Sequence, residues 1–367
     1  MRNKKLAKAK TAKNDEFYTQ WADIEKEVQA YVDFNPNVFR GKTLLCPCDD
    51  PEWSNFTKFF ALRFKEYGLK KLISTSYAHE SKKYKSDYQL TMFEKSDPKY
   101  DENKSKTHGK CFILENGNVN IDDLKWDYLQ GDGDFRSDEV MKLLDGADII
   151  ITNPPFSLFR EFLAWVMEAG KEFLIIGNMN AITYKEIFPL IKNNKIWLGN
   201  GFQAGNAYFS TPFFENYGEG VYNPETGLLK FRKVCWFTNL DHGRRHQPLS
   251  LMTLEDNLKY SKHKEIKGKK NYEKYDNYDA IEVPFTDAIP SDYTGLMGVP
   301  ISFLDKYCPE QFEILGIMDR QGSSGLRTKK YKLEDSAKYN DLNARGVILF
   351  DGVLTAIYAR ILIIKKD

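Results

Sequence analysis

Across 367 residues there is no apolar run approaching the ~18 that a membrane span requires. The basic start, MRNKKLAKAKTAKNDEF, has no apolar stretch behind it of the kind a secretion signal carries, so a cytoplasmic protein without a membrane partner is expected. Paired cysteines are missing too. Cys46, Cys48, Cys111, Cys235 and Cys308 are odd in number and scattered, which speaks against a disulfide framework and for a reducing compartment. Only one residue separates Cys46 from Cys48, and no second Cys or His pair stands at zinc-like spacing, so no metal site is expected. Excess charge is absent: 53 basic and 52 acidic residues leave +1, and a nucleic-acid partner would have to be met by a local patch. Internal repeats and low-complexity tracts are also lacking. What is present, 42% hydrophobic and 14% aromatic residues, is the composition of a folded chain long enough for two domains.

Strand and helix patterns alternate along the first two hundred and forty or so residues. Ile24, Val28 and Tyr31 share one face of a helix; Thr43 to Cys46 reads as a short strand, and Phe56, Phe59, Phe60 and Phe64 follow at helical spacing. Strands are predicted at Leu72–Ser76, Asp148–Thr152, Phe173–Ile176 and Val234–Thr238, with a helix carrying Phe159, Phe162, Leu163 and Val166. Such alternation predicts βαβ units and a mostly parallel sheet. A polar, Lys-rich insertion at 80–110 interrupts it, and Asn116-Gly117 marks a hairpin after it. Beyond His242 the texture changes, and the chain ends in GVILFDGVLTAIYARILII, read as a hairpin around Asp351-Gly352. The domain boundary is therefore placed near residue 242.

In open α/β sheets ligands bind past the carboxyl ends of the strands, and two loops there carry unusual chemistry. One is CDDPEWSNF, where Asp49 and Asp50 leave a strand and Asn55 opens a helix. The other is Asn153-Pro154-Pro155-Phe156. Proline has no N–H and a fixed φ, so this segment should stay extended, with carbonyls that no local turn claims. Asn153 adds a side-chain acceptor, and two adjacent acceptors suit an amino group. Phe156 adds a face for a flat ring. Together they describe a site for an exocyclic amine on a planar base.

NPPF is similar to the N/D/S-P-P-Y/F/W motif of S-adenosylmethionine-dependent amino methyltransferases. In the order DEFYT (15–19), CDDP (48–51), GDGDFRS (131–137), NPPF (153–156) and WFTNLDH (236–242), the chain resembles the EcoRI-type adenine-specific DNA methyltransferase family. The later IPSDYTGLMGVPISFLDKYCPEQFEILG extends the resemblance over most of its length. It implies an α/β fold: a Rossmann-like S-adenosylmethionine-dependent methyltransferase sheet over residues 1–242, and a C-terminal mixed α+β target-recognition region over 243–367. It implies S-adenosylmethionine as cofactor, double-stranded DNA as partner and a protein acting as a monomer. Asp49, Pro51, Asn55 and Phe56 would form the cofactor loop, with Phe17, Tyr18 and Thr19 folding back over it. Asp134 would accept from the cofactor adenine, with Phe135 against its ring. Asn153, Pro154 and Pro155 would hold the target amine, Phe156 would stack on the base, and Trp236 or Phe237, on opposite faces of one strand, would form the second wall. The cofactor loop lacks the glycines of the general pattern, and Glu80 is the nearest acidic residue for the ribose.

Each signal has a plainer reading. NPPF alone is often a strand ending in a turn, Asp50 suits a helix cap, and GDGDF suits a loop. Pro47-Cys48 resembles the nucleophile region of cytosine-C5 methyltransferases, but no Glu-Asn-Val segment accompanies it. The basic residues Arg244, Arg245, Lys262, Lys264, Lys267, Lys269 and Lys270 would contact phosphate, though such clusters are more often solvated surface. Three functions remain: an N6-adenine DNA methyltransferase of a restriction–modification or phage system; an enzyme of the same fold acting on cytosine N4, an RNA base or a protein glutamine; and a non-catalytic DNA-binding protein on the same scaffold.

Overall fold

A computed structural model describes residues 17–78, 101, 103–116, 120–121, 124–202, 206–211, 217, 220–321 and 325–366. Glu80, most of the Lys-rich insertion, Gly117 of the Asn-Gly turn and the basic N-terminal segment lie outside the described residues. Among the described residues no helix is long and apolar enough to cross a membrane. The chain divides into two compact units, Met1–Ala181 with Leu198–His242, and Ile182–Trp197 with Gly243–Asp367. The stretch Ile182–Trp197, on the N-terminal side of the boundary predicted near residue 242, groups with the second.

The first unit is built from β1 (Tyr18–Thr19), α1 (Trp21–Phe34), β2 (Thr43–Cys46), α2 (Asn55–Leu62), β3 (Lys71–Thr75), β4 (Lys110–Leu114), β5 (Trp126–Tyr128), α3 (Asp138–Asp145), β6 (Ile149–Thr152), α4 (Phe159–Glu168), β7 (Glu172–Asn178), β8 (Trp197–Leu198), β9 (Asn206–Ser210), β10 (Tyr222–Asn223), β11 (Leu228–Arg232) and β12 (Val234–Thr238). Eight strands form a mixed sheet in the order β5-β4-β3-β2-β6-β7-β12-β8. The inner four, β3, β2, β6 and β7, are parallel; β4 and β12 run antiparallel to their neighbours. All four residues of β2 and of β6 are buried, as unbroken apolar runs require when helices cover both faces. The chain runs outward from β2 to β3, then returns to place β6 on the other side of β2, so the direction of winding reverses between β2 and β6. Ligands bind outside the carboxyl ends at such a reversal.

Local chemistry starts the helices that flank this point. Ser54 caps α2 by accepting from the Phe56 amide at 3.0 Å, and Phe56, Phe59 and Phe60 turn inward behind it. Ser137 caps α3 and accepts from the Val140 amide at 3.3 Å, with Asp138 and Glu139 in the first turn, where the helix dipole favours negative charge. A second, antiparallel sheet, β1-β9-β11-β10, completes the unit.

The second unit holds α5 (Leu254–Tyr260), β13 (Ala280–Glu282), β14 (Leu296–Pro300), β15 (Phe312–Ile317), α6 (Tyr339–Leu342), β16 (Val347–Phe350), β17 (Val353–Ala356) and β18 (Arg360–Lys365). The sheet order is β13-β14-β18-β15, and β16 with β17 forms a separate two-stranded sheet. The final apolar run is therefore split: its first part closes the hairpin, and β18 leaves to pair with β14 and β15.

Candidate active site

Asp49 leaves β2 at the reversal point and is almost wholly enclosed, 3% exposed. Every polar group it has is engaged. Its amide donates to the Thr75 carbonyl at 2.9 Å, and its own carbonyl accepts from the Ser74 hydroxyl, so β2 and β3 are tied just past their ends. One carboxyl oxygen accepts from Ser54 Oγ at 2.6 Å and the other from the Thr152 hydroxyl, so the helix cap and β6 are tied to the same side chain. Burial pushes its pKa up to about 7 against the opposing pull of the two hydroxyl donors. Asp49 thus braces the site, and its carboxyl is directed inward.

Asn153 follows directly on Thr152 and is also buried. Its side-chain amide donates to the Phe17 carbonyl at 2.6 Å. That bond fixes which way the amide faces, and Oδ1 is left buried with no hydrogen-bond partner. A buried acceptor without a donor costs roughly 1–3 kcal/mol, so such atoms mark places where a partner arrives from outside. The Pro154 carbonyl likewise accepts no bond among the described residues. Pro155 is extended as predicted, with φ −51° and ψ 124°, but its carbonyl is claimed: it accepts from the Leu158 amide at 2.9 Å as the chain enters a short 3₁₀ turn. Of the four NPPF residues, Asn153 and Pro154 retain open acceptors.

The segment Phe17–Thr19 is held from two sides. Asn153 grips the Phe17 carbonyl, and Asn55, at the start of α2, donates to the Thr19 carbonyl at 2.7 Å. Pairing of β1 with β9 fixes the third side. Thr19 is 1% exposed, and its hydroxyl is a second buried oxygen without a partner. The structure therefore brings Phe17, Tyr18, Thr19, Asn55 and Asn153 together.

Phe156 is partly open. Its ring neighbours are Phe17 at 5.5 Å, Phe209 at 6.2 Å and Phe231 at 6.4 Å, all tilted or edge-on to it. Phe209 and Phe231 come from the second sheet and were not picked out from sequence. Trp236 and Phe237, expected as alternatives for the second wall, are both fully buried. Trp236 stacks on Phe202 at 5.5 Å and Phe237 packs on Phe159 at 4.9 Å, because β12 is an inner strand covered on both faces. Neither presents a free ring.

Four further residues make contacts within the protein itself. Phe56 is 1% exposed and packs in the core against Trp236, and Pro51 is buried at the turn before α2. Phe135 lies under α4, 5.1 Å from Phe162 and 5.3 Å from Trp165. Asp134 carries an ion pair: Arg136 reaches its two oxygens at 2.8 and 2.6 Å, so an incoming donor would share that carboxylate. The second glycine of GDGDF serves close packing. A Cβ on Gly133, whose φ is +78°, would lie 2.1 Å from the Ser76 carbonyl, which explains why the loop can be sewn to the end of β3. There Tyr77 faces Asp132 and Asp134, and burial with those two acids pushes its pKa up to about 12.

The basic residues do not act as one patch. Arg245 is buried: its guanidinium stacks 3.7 Å from the Trp197 ring and donates to Asn194, so it is a core residue and not the phosphate contact expected. Arg244 is half-buried and faces Asp305 electrostatically. Lys262 pairs with Asp287 at 2.7 Å and Lys269 with Glu273 at 2.9 Å, while Lys264, Lys267 and Lys270 are exposed. Among the described residues no cluster could hold a metal ion.

The sequence model of the family described as adenine-specific methyltransferase EcoRI matches residues 5–366. The chain belongs to that family. Its similarity to the type II methyltransferase M.EcoRI of Escherichia coli is 44% identity over 316 residues, covering 85% of this chain and 89% of the relative. The type II methyltransferase M.MpnI of Mycoplasma pneumoniae is 36% identical over 313 residues, 84% of each chain. M.MgeORF184P of Mycoplasma genitalium is 36% identical over 317 residues, again 84% of each. No solved structure matches. Within this EcoRI-family chain, Ser54 and Thr152 escaped the sequence reading, although a Ser before a helical apolar run is a capping signal that could have found the first.

Proposed function

We propose that this chain is a site-specific DNA adenine N6-methyltransferase that uses S-adenosylmethionine, as the modification enzyme of a restriction–modification or phage system. The observation that carries the reading is the Asn153 amide, turned by its bond to Phe17 so that a buried oxygen waits without a donor. The order of strands and the reversal at β2 and β6 support a Rossmann-like methyltransferase sheet in the first unit. In this reading the first unit carries the chemistry and the second reads the target.

The residues fit the cofactor. The segment Phe17–Thr19, the loop 49–56, Tyr77 and Asp134 surround the strand ends, and the Thr19 hydroxyl is a buried polar group without a partner. When bound, S-adenosylmethionine supplies a sulfonium methyl, already a good electrophile. The chain must supply position and polarity, because adenine N6 is a poor nucleophile whose lone pair is delocalised into the ring. Asn153 Oδ1 and the Pro154 carbonyl would accept the two amine hydrogens and favour a pyramidal nitrogen. The extra proton leaves the nitrogen after transfer. Reaching a paired base requires flipping it out of the duplex, and Phe156 would take up one of its faces. Stacking of that kind contributes roughly 1–3 kcal/mol toward the cost of extrusion.

The test is direct. The protein with methyl-labelled S-adenosylmethionine should label unmodified genomic DNA, with N6-methyladenine as the labelled nucleoside at one repeated sequence. Label in N4-methylcytosine, RNA or protein, or none at all, overturns the reading.

A further inference from the structure

The hairpin of β16 and β17 is anchored at its base on both faces. Val347, paired with Ala356, packs on Tyr331 and Leu342, while Ile348 belongs to a separate cluster with Tyr275, Tyr278 and Met318. Beyond that level the ribbon leaves the unit on the Leu349–Phe350 strand and at the tip, while Leu354 still rests on the Val347 cluster. Leu349 is 57% exposed, Phe350 54% and Val353 64%. Their pairing, Leu349 with Leu354 and Phe350 with Val353, puts apolar side chains on both faces of the projecting ribbon, since successive residues alternate. Two residue levels at ~3.4 Å each extend it by roughly 7 Å. Asp351 and Gly352, with φ of 48° and 77°, close it in the left-handed conformations a two-residue turn needs.

Exposed apolar surface of this kind marks an interaction site, and the two-sidedness says of what kind. A flat partner would cover one face and leave the other in water. A groove covers both, and the major groove of B-DNA, about 12 Å wide, admits a two-stranded β-ribbon. Charge points the same way. Tyr331, under the hairpin, is flanked by Lys330 and Lys332, and Lys338 precedes α6; all three are exposed and make no ion pair among the described residues. Between 347 and 358 the only charge is Asp351, at a position where the left-handed φ favours Asp, Asn or Gly.

We propose that this hairpin is a wedge: it enters a groove of duplex DNA and inserts Phe350, with Val353 beside it, at a base step. Apolar side chains used in this way unstack a step and bend the duplex. The inference rests on DNA being the substrate, as proposed above. To test it, full-length protein is bound to duplexes carrying the methylated sequence, with 2-aminopurine placed in turn at every position except the target adenine. Wild type should raise fluorescence several-fold at one step. Phe350→Ala should abolish that rise and weaken duplex binding about tenfold, Phe350→Trp should restore both, and thermal unfolding should not move, because the side chain is exposed. A duplex that is bound and methylated, with the 2-aminopurine pattern unchanged in Phe350→Ala and in Leu349→Ala/Val353→Ala, overturns the wedge while leaving the function intact. Sedimentation showing a dimer that Phe350→Ala dissociates assigns the tip to a second copy and also overturns it. Failure of wild type to bind or methylate DNA removes both.

Discussion

Replacing Asn153 by Ala should separate stability from catalysis, and the structure gives the size of each effect. The substitution removes the bond from Nδ2 to the Phe17 carbonyl, a net loss of about 0.5–1.5 kcal/mol, and can leave that carbonyl short of a donor. It also removes Oδ1, whose burial without a partner costs roughly 1–3 kcal/mol in the protein alone. The two changes have opposite sign and overlapping magnitude, so unfolding free energy should move by less than about 2.5 kcal/mol. Cofactor affinity should fall no more than about tenfold, the effect of one lost anchor on Phe17–Thr19. Catalysis has no such offset. An acceptor aligned on the reacting amine acts like a preorganised oxyanion-hole group, whose removal costs about 10²–10³ in kcat. Denaturant unfolding, calorimetric titration with S-adenosylmethionine and single-turnover methyl transfer measure the three quantities. Near-normal turnover, or a stability loss above about 3 kcal/mol with turnover intact, would refute the argument, since either means that Oδ1 is satisfied within the protein.

Other expectations follow from the buried groups. Asp49 has a folded pKa raised to about 7 from an unfolded value near 3.8, so its contribution to stability is complete below pH ~4 and is lost as pH rises toward 7. The stability gap between wild type and Asp49→Asn should therefore shrink by up to about 4 kcal/mol between pH 4 and 7.5; a gap that is constant in denaturant titrations would show the carboxyl to be unperturbed. Arg245→Ala should cost about 1–3 kcal/mol of stability through loss of the Trp197 stack and the bond to Asn194, and leave the salt dependence of DNA binding unchanged. A slope reduced by about 0.9 would instead make Arg245 a phosphate contact.

Much of the frame was legible because apolar runs and turn residues are local signals. The strand at Val234–Thr238 matches residue for residue, and β2, β3, β6 and β7 lie within two residues of their predicted ends. Asn55, Asn153 and the 17–19 segment, all placed in the site by the family resemblance, are linked by hydrogen bonds, each asparagine to the segment. What escaped was long-range. Nothing near Arg245 in sequence announces Trp197, forty-eight residues earlier, so a buried cation looked like surface charge. Trp236 and Phe237 alternate correctly, but alternation identifies a buried face only when the other face is solvated, and β12 has none. Phe231 reaches Phe156 through a second sheet whose short strands give weak patterns. Ile182–Trp197 joins the second unit by packing alone, with no composition change at either end.

Both side-chain bonds holding the 17–19 segment end on main-chain carbonyls, at Phe17 and Thr19. Every amino acid offers that carbonyl, so these two bonds constrain the path of the chain and do not depend on the side chains it carries. The two bonds would therefore survive exchange of the side chains at 17 to 19, provided Asn55 and Asn153 stay, and the Phe17 ring adds a separate hold by packing on Phe156, Phe209 and Phe231. The converse also holds: a change at either asparagine alters the segment without touching any residue in it, and a mutational scan confined to 17–19 would miss these two bonds.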